Sequence, residues 1–327
     1  MINQLRRTGL YLIACAMGCF VTALCQADPA YPLRPIRFVV PYVPGGGVDF
    51  VGRQVAAKLS ETIGQLVFVE NRPGGGTNIG SELVAHAPPD GYTLLVGGVP
   101  NTVNKFLFKK LSYDLVRDLA PVSLMTTAPN VLAVHPSLPV RSVAALIAFA
   151  KSHPGQLSFA SAGVGSSNHL SGELFRQMAR VSILHVPYRG GGAAVTDLLS
   201  GQVSMYFGTM PSTLPHVNSG RLRALALTGA QRSRAAPQIE TLSEKALPGY
   251  EQSAWHGLFA PAATLPAVIT LLNAQVVRAL HNTELIEHMT RQGVDIVGGS
   301  PVEFAQFIQK DLLKYEKLVS SSGMTIE

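Results

Sequence analysis

The stretch IRFVVPYVPGGGVDFVGRQVAAKLSETI, residues 36–63, decides the fold class. Ile36–Val40 is an apolar run broken only by Arg37, the pattern of a strand largely covered on both faces. Pro44–Gly47 then makes a turn. Val51, Val55 and Leu59 recur four apart, which predicts a helix near Asp49–Ile63 with one buried face. Moving outward, Leu66–Val69 reads as a strand, Pro73–Gly76 as a second glycine turn, and the stretch through Ile79 and Leu83 as a short helix. Thr93–Gly97 is a third strand. A βαβαβ unit of this kind implies a parallel sheet with right-handed crossovers.

The same style returns further on. Helices are expected at Ser142–His153, Ser166–Arg180 and Ala193–Ser200, and strands at Leu157–Ser161, Ile183–Val186, Val203–Phe207 and Leu222–Leu227. Pro266–His281 and Glu284–Gln292 read as helices. The last helix opens on Ser300-Pro301-Val302-Glu303, a capping box with proline at the first helical position. Phe304, Phe307, Ile308 and Leu312 give it an apolar stripe. No linker tract divides the chain, so two α/β lobes are expected, with the chain crossing between them more than once.

Composition supports a globular protein: 327 residues, 47% hydrophobic and 14% charged. The excess of 26 Lys+Arg over 20 Asp+Glu is small and forms no basic run, which argues against nucleic acid. Residues 1–27 read as a secretory signal peptide. Arg6 and Arg7 precede an apolar stretch at Gly9–Leu24, and Ala27 supplies the small residue before a cut. Loss of that segment removes two arginines and no acid, lowering the net charge from +6 to +4. It also removes Cys15, Cys19 and Cys25, all the cysteines of the chain, so neither a disulfide nor a thiolate site is expected in the exported protein.

Catalytic signatures are sparse. There is no Gly-x-Ser-x-Gly elbow, no phosphate loop and no histidine spacing that fits a metal. Ser161, Ser166 and Ser167 near His169 invite a nucleophile–base reading, but a Ser and His on one helical turn rarely hold attack geometry. What recurs is glycine directly after a strand: Pro44–Gly47, Pro73–Gly76, Gly163-Val164-Gly165 and Gly190–Gly192. Such turns let backbone N–H groups approach a ligand, and the following helix adds the positive end of its dipole. Four of them at corresponding strand ends predict a cleft that holds a small anion by amides and hydroxyls. Asp49 would repel a carboxylate there, so its expected roles are helix capping or receiving a ligand amine.

The same loops carry a family resemblance. The stretches YPLRPIRFVVPYVPGGGVD (31–49), ENRPGGGTNIG (70–80), SAGVGSSNHLSGELF (161–175), HVPYRGGGAAVTDLLSG (185–201), GRLRALAL (220–227) and WHGLFAP (255–261) resemble the Bug, or TctC-like, solute-binding proteins of tripartite tricarboxylate transporters. The resemblance implies a two-lobed Venus-flytrap fold, each lobe a mostly parallel sheet flanked by helices. Lobe 1 would hold residues 28–127 and 255–327, and lobe 2 residues 128–254. Hinges are expected near Ala128–Leu132 and Ser253–Phe259, with Trp255 in the second crossover. By matching motif, Gly46, Gly47, Val48 and Asp49 would form one ligand loop and Gly76, Thr77 and Asn78 a second. Ser161, Gly165, Ser166 and His169 would face them, with Tyr188, Gly190, Gly191 and Asp197 nearby.

The resemblance further implies a periplasmic monomer without a cofactor. It would capture a small carboxylate or related molecule and deliver it to membrane permease subunits. A sensor subunit docking on a membrane kinase is the main alternative, and an α/β hydrolase a more distant one. Val48 and Gly208 depart from the hydroxyl and acidic residues common in the family, and residues 237–246 lack its usual motif, which bears on ligand identity more than on fold.

Overall fold

The computed structural model describes residues 31–322, so the expected leader at 1–27 lies outside the described residues. Tyr31–Leu33 carry no helix or strand, and from Arg34 onward the chain forms one compact unit. The first part runs β1 (Ile36–Val40), α1 (Gly47–Ile63), β2 (Val67–Asn71), a short 3-10 turn (Gly75–Thr77), α2 (Asn78–Ala85), β3 (Thr93–Gly98), α3 (Val99–Leu107) and α4 (Leu115–Asp118). The 16-residue β4 (Leu119–Val134) follows. Then come α5 (Val143–Ser152), β5 (Ser158–Ser161), α6 (Ser167–Ala179), β6 (Leu184–Pro187), α7 (Gly191–Leu199), β7 (Met205–Thr209), α8 (Met210–Asn218), β8 (Arg223–Leu227) and α9 (Leu242–Lys245). The chain returns through β9 (Ser253–Pro261) to α10 (Pro266–Leu280), α11 (Thr283–Arg291), β10 (Asp295–Ile296) and α12 (Pro301–Ser322).

The strands form one continuous ladder in the order β2-β1-β3-β9-β4-β7-β5-β6, with β8 and β10 also paired to β4. Pairing is parallel at the two outer ends, β2-β1-β3 and β7-β5-β6, as the βαβ pattern requires. It is antiparallel in the middle, around β4 and β9. From Leu119 to Pro129, β4 pairs with β9; from Asn130 to Val134 it lies between β7 and β8. Each half of the ladder, with its helices, is one lobe of a two-lobed α/β fold.

β4 does not stand out in the sequence, and its prolines are the reason. A proline inside a strand reads as a breaker because it has no N–H to give the ladder. In β4, Pro121 sits at a register shift and Pro129 at the point where the strand changes partner, so neither removes a needed bond.

The cores follow from the alternation of side chains along buried strands. In the second lobe, Leu132 and Val134 of β4 join one cluster with Phe159, Phe175, Phe207 and Tyr250. Val131 and Ala133 point the other way, to Tyr206, Leu198 and Met210. The first lobe packs Trp255 and Phe259 of β9 on Phe304, Ile308 and Leu312 of α12. The start of α12 is capped as expected: Glu303 Oε2 accepts from the Ser300 amide and Ser300 Oγ from the Glu303 amide.

Trp255 packs chiefly in this first-lobe core. Its ring lies edge-on to Phe304 and Phe307, and its Nε1 donates to the buried Asp311 at 2.9 Å. Two residues on, Gly257 carries the Phe304 ring so closely that an added Cβ would overlap it. Gly257→Ala should therefore destabilise the protein by about 1–3 kcal/mol through overpacking, read from urea unfolding. An unchanged midpoint would show that the ring moves aside freely.

Candidate functional site

The carboxyl ends of the parallel strands in both lobes face one cleft. Five helices begin there, and the residues at their starts line a small inner chamber: Gly46, Gly47 and Val48 before and in α1, Gly98 to Pro100 at α3, Ser166 to Asn168 at α6, Gly191 at α7 and Thr209 at α8. The first N–H groups of a helix have no acceptor within it. Helix starts also carry partial positive charge, each worth ~0.3–1 kcal/mol toward a nearby anion. Among the described residues, no lysine, arginine or carboxylate lines this chamber. Its remaining walls are Tyr42, Ala162, Tyr206, Ala254, Trp255 and His256.

The titratable groups in these walls are all neutral donors or acceptors near pH 7. Burial pushes the Tyr42 phenol up, with Tyr206 adding to the shift, and burial raises Tyr206 likewise. Burial lowers His256 to about 4, and its Nδ1 lies 2.9 Å from Thr126 Oγ1. The Tyr206 hydroxyl is buried without a partner at hydrogen-bond geometry. Its polar neighbour Ser212 is bonded to Thr209 Oγ1 at 2.8 Å.

The inner chamber measures about 30 Å³. It shares Tyr42, Ala162 and Ser166 with an outer chamber of about 570 Å³. The outer one is lined by Pro73 to Thr77 from the first lobe, with Phe108, and by Gly163, Val164, Tyr188 and Arg189 from the second. Thr77 has a left-handed backbone, φ 81°, rare for a residue with a branched side chain. Its hydroxyl is buried with no hydrogen-bond partner in the protein.

The motif residues divide into two groups. Gly46, Gly47, Val48, Ser166 and Gly191 line the inner chamber, and Gly76, Thr77 and Tyr188 the outer one. The others line neither chamber. Asp49 is buried, and its carboxylate accepts from the Gly45 amide, Arg53 Nε and Asn71 Nδ2 at 2.8–3.1 Å. Burial alone would raise this carboxyl. The hydrogen bonds from Arg53, Asn71 and Gly45 outweigh it and hold the group below its ordinary range. Asp49 thus clamps its own glycine loop and has no free oxygen turned to a ligand amine.

Asn78 Oδ1 accepts from Asn104 Nδ2, bracing the second loop. Asp197 accepts from the Tyr188 hydroxyl at 2.7 Å, and burial together with that bond raises Tyr188 to about 12. Ser161, Gly165 and His169 lie beneath the third loop. The Gly165 amide donates to His169 Nδ1, and His169 stacks on His185 with ring centres 4.0 Å apart. The partner of Ser161 Oγ is His185, at 2.7 Å, and the same hydroxyl bonds both the amide and the carbonyl of Gly163. This is a loop brace. Burial lowers His169 to about 3 and His185 to about 4, so both rings are neutral.

Several lining residues escape a search for glycine triplets. Val99-Pro100 start α3 directly after a strand, and Thr209 lies just before Met210-Pro211 at the start of α8. The available signal was proline at a helix start following an apolar run.

The glycines also have a role in lobe contact. A Cβ on Gly47 would lie 3.0 Å from Thr209 Oγ1 of the other lobe. One on Gly165, where φ is +79°, would lie 2.7 Å from Asn104 Oδ1, and one on Gly190 2.5 Å from Val43 Cγ2. Gly46 faces the Gly191 amide, with 3.8 Å to its own missing Cβ.

This arrangement, anion-directed helix starts between two lobes joined by β4 and β9, agrees with what the chain is similar to. A family model described as tripartite tricarboxylate transporter family receptor, TctC, matches residues 51–324. Protein BugT of Bordetella pertussis is 37% identical over 317 residues, covering 95% of this chain and 97% of its own. Among solved structures, Rpa4515 of R. palustris with adipate has TM-score 0.88 and 34% identity, covering 90% of this chain and 100% of that one. MatC from Rhodopseudomonas palustris with bound malate has TM-score 0.84 and 33% identity, covering 88% and 100%. The chain belongs to the TctC family of solute-binding receptors.

Gly47→Val should weaken ligand binding at least about tenfold, since a branched side chain would wedge against Thr209 and oppose lobe contact at a cost of ~1.4 kcal/mol or more. The thermal midpoint of the ligand-free protein should stay near that of the parent. Parent-like affinity by calorimetry would remove this contact from the binding mechanism.

Proposed function

We propose that this protein is exported to the periplasm, captures a small carboxylate between its lobes as a monomer, and hands it to the permease of a tripartite transporter. The observation that carries the reading is the inner chamber, where five helix starts converge and no charged side chain competes. A carboxylate placed there would neutralise the partial charges of those helix ends and accept from their amides and from the Tyr206 hydroxyl. Relatives that hold adipate and malate support this ligand class. We place lobe 1 at residues 28–127 and 255–327 and lobe 2 at 128–254. The change of partner along β4 between Pro129 and Asn130 supports that division.

The binding cycle follows from the geometry. The lobes already touch at Gly46–Gly191 and Gly47–Thr209, so a ligand enters only when they part. Hinge residues are those that absorb the change in φ and ψ, here in β4 and β9 where the chain passes between lobes. Bound ligand then holds the two sets of helix starts together.

Thermal unfolding against a panel of carboxylates tests this. A true ligand at one hundred times its Kd should add about 2.7 kcal/mol. Small-angle scattering should show a monomer that contracts on saturation. No stabilisation by any carboxylate would refute the reading. Affinity should also stay flat between about pH 5 and 8, where ordinary imidazoles titrate, because His256, held at about 4, is neutral throughout. A slope across that range would mean a titrating side chain holds the anion.

Export has its own check. Protein recovered from the periplasm should begin near Asp28, after cleavage at Ala27, by intact mass. Retention of Met1 would refute cleavage.

A further inference from the structure

The two chambers differ in a way that bears on which carboxylate fits. The inner one, about 30 Å³ and walled by helix starts, has room for one carboxylate group. The outer one, about 570 Å³, continues from it past Tyr42, Ala162 and Ser166. Its walls are mainly apolar or aromatic. Phe108 is half-buried, with its ring seated on Gly76, where an added Cβ would come within 2.9 Å of Cζ. Val164 and Tyr188 face it from the other lobe. Among the described residues, a single charged one lines this chamber, Arg189. It is exposed, and among the described residues its guanidinium has no ion pair or hydrogen bond.

We propose that the cleft selects an elongated carboxylate with an apolar body and a second acidic group at its far end. One carboxylate sits in the inner chamber, the body lies against Phe108, Val164 and Tyr188, and the distal acid meets Arg189. This rests on the carboxylate-receptor reading above and specifies the ligand class within it. Two features argue against a compact polycarboxylate. Its neighbouring carboxylates could not all enter the inner chamber. Those left outside would lie largely against Phe108 and Val164, losing water for few partners. A lone apolar acid would fit the body but leave Arg189 unmatched. An Arg–carboxylate contact is charge-assisted and geometrically specific, so the distal group adds affinity as well as register.

Calorimetry on the full mature protein separates these cases, with adipate and suberate compared to hexanoate and octanoate, which differ only in the distal acid, and citrate as the compact acid. The better of the two diacids should bind about tenfold or more tighter than its monoacid, a difference of ~1.4 kcal/mol, and tighter than citrate by at least as much. Arg189→Met should erase the gap between diacid and monoacid while leaving the monoacid unchanged. Phe108→Ser should weaken diacid and monoacid alike. Citrate binding as tightly as the best diacid, or a diacid gap untouched by Arg189→Met, would overturn the inference and leave the carboxylate reading standing. Binding by none of the five would overturn both.

Discussion

A buried strand must satisfy its backbone groups on both edges along its whole length. β4 meets much of that demand by changing neighbours partway, from β9 and the short β10 in one lobe to β7 and β8 in the other. The two lobes therefore share one ladder. Their parallel strands, β1 and β3 on one side and β5 and β7 on the other, end on a common cleft. The helices that follow those strands start there. The position of the proposed anion site is thus a consequence of strand order, before any side chain is considered.

The electrostatics follow from that placement. An anion that leaves water needs compensation, and a buried cation would itself carry a desolvation cost when the site is empty. Helix starts avoid this cost, because their partial charges belong to backbone already folded. The one buried carboxylate close to the first loop, Asp49, is compensated internally by Arg53, Asn71 and the Gly45 amide. It shapes the loop without turning its charge on the cleft. The loop braces built from Ser161, His185 and His169 do the same for the third turn with neutral groups.

Much of this was legible in the residues. The apolar run at Ile36–Val40, the four-residue spacing in α1 and the Ser300–Glu303 box each express a local rule that the tertiary structure leaves intact. β4 was hidden because its prolines obey a non-local rule, being harmless only at a register shift or a change of partner. The glycine turns were visible, but their second role was not. That Gly47 faces Thr209 and Gly165 faces Asn104 depends on residues far apart in sequence meeting across the cleft. Likewise, a motif can mark Asp49, Asn78, Ser161, His169 and Asp197 as belonging to the loops. Only the fold separates those that touch open space from those that hold the loops in shape.

The division between main chain and side chain in the two chambers has an evolutionary consequence. The proposed grip on the charged end is written chiefly in amides, which among single substitutions only proline deletes. The walls proposed to meet the rest of the ligand are side chains such as Phe108, Val164 and Arg189, and these can be exchanged one at a time. A scaffold built this way can diverge rapidly in ligand preference while keeping a constant handle. New specificities then arise by small steps along a path on which every intermediate still binds an acid.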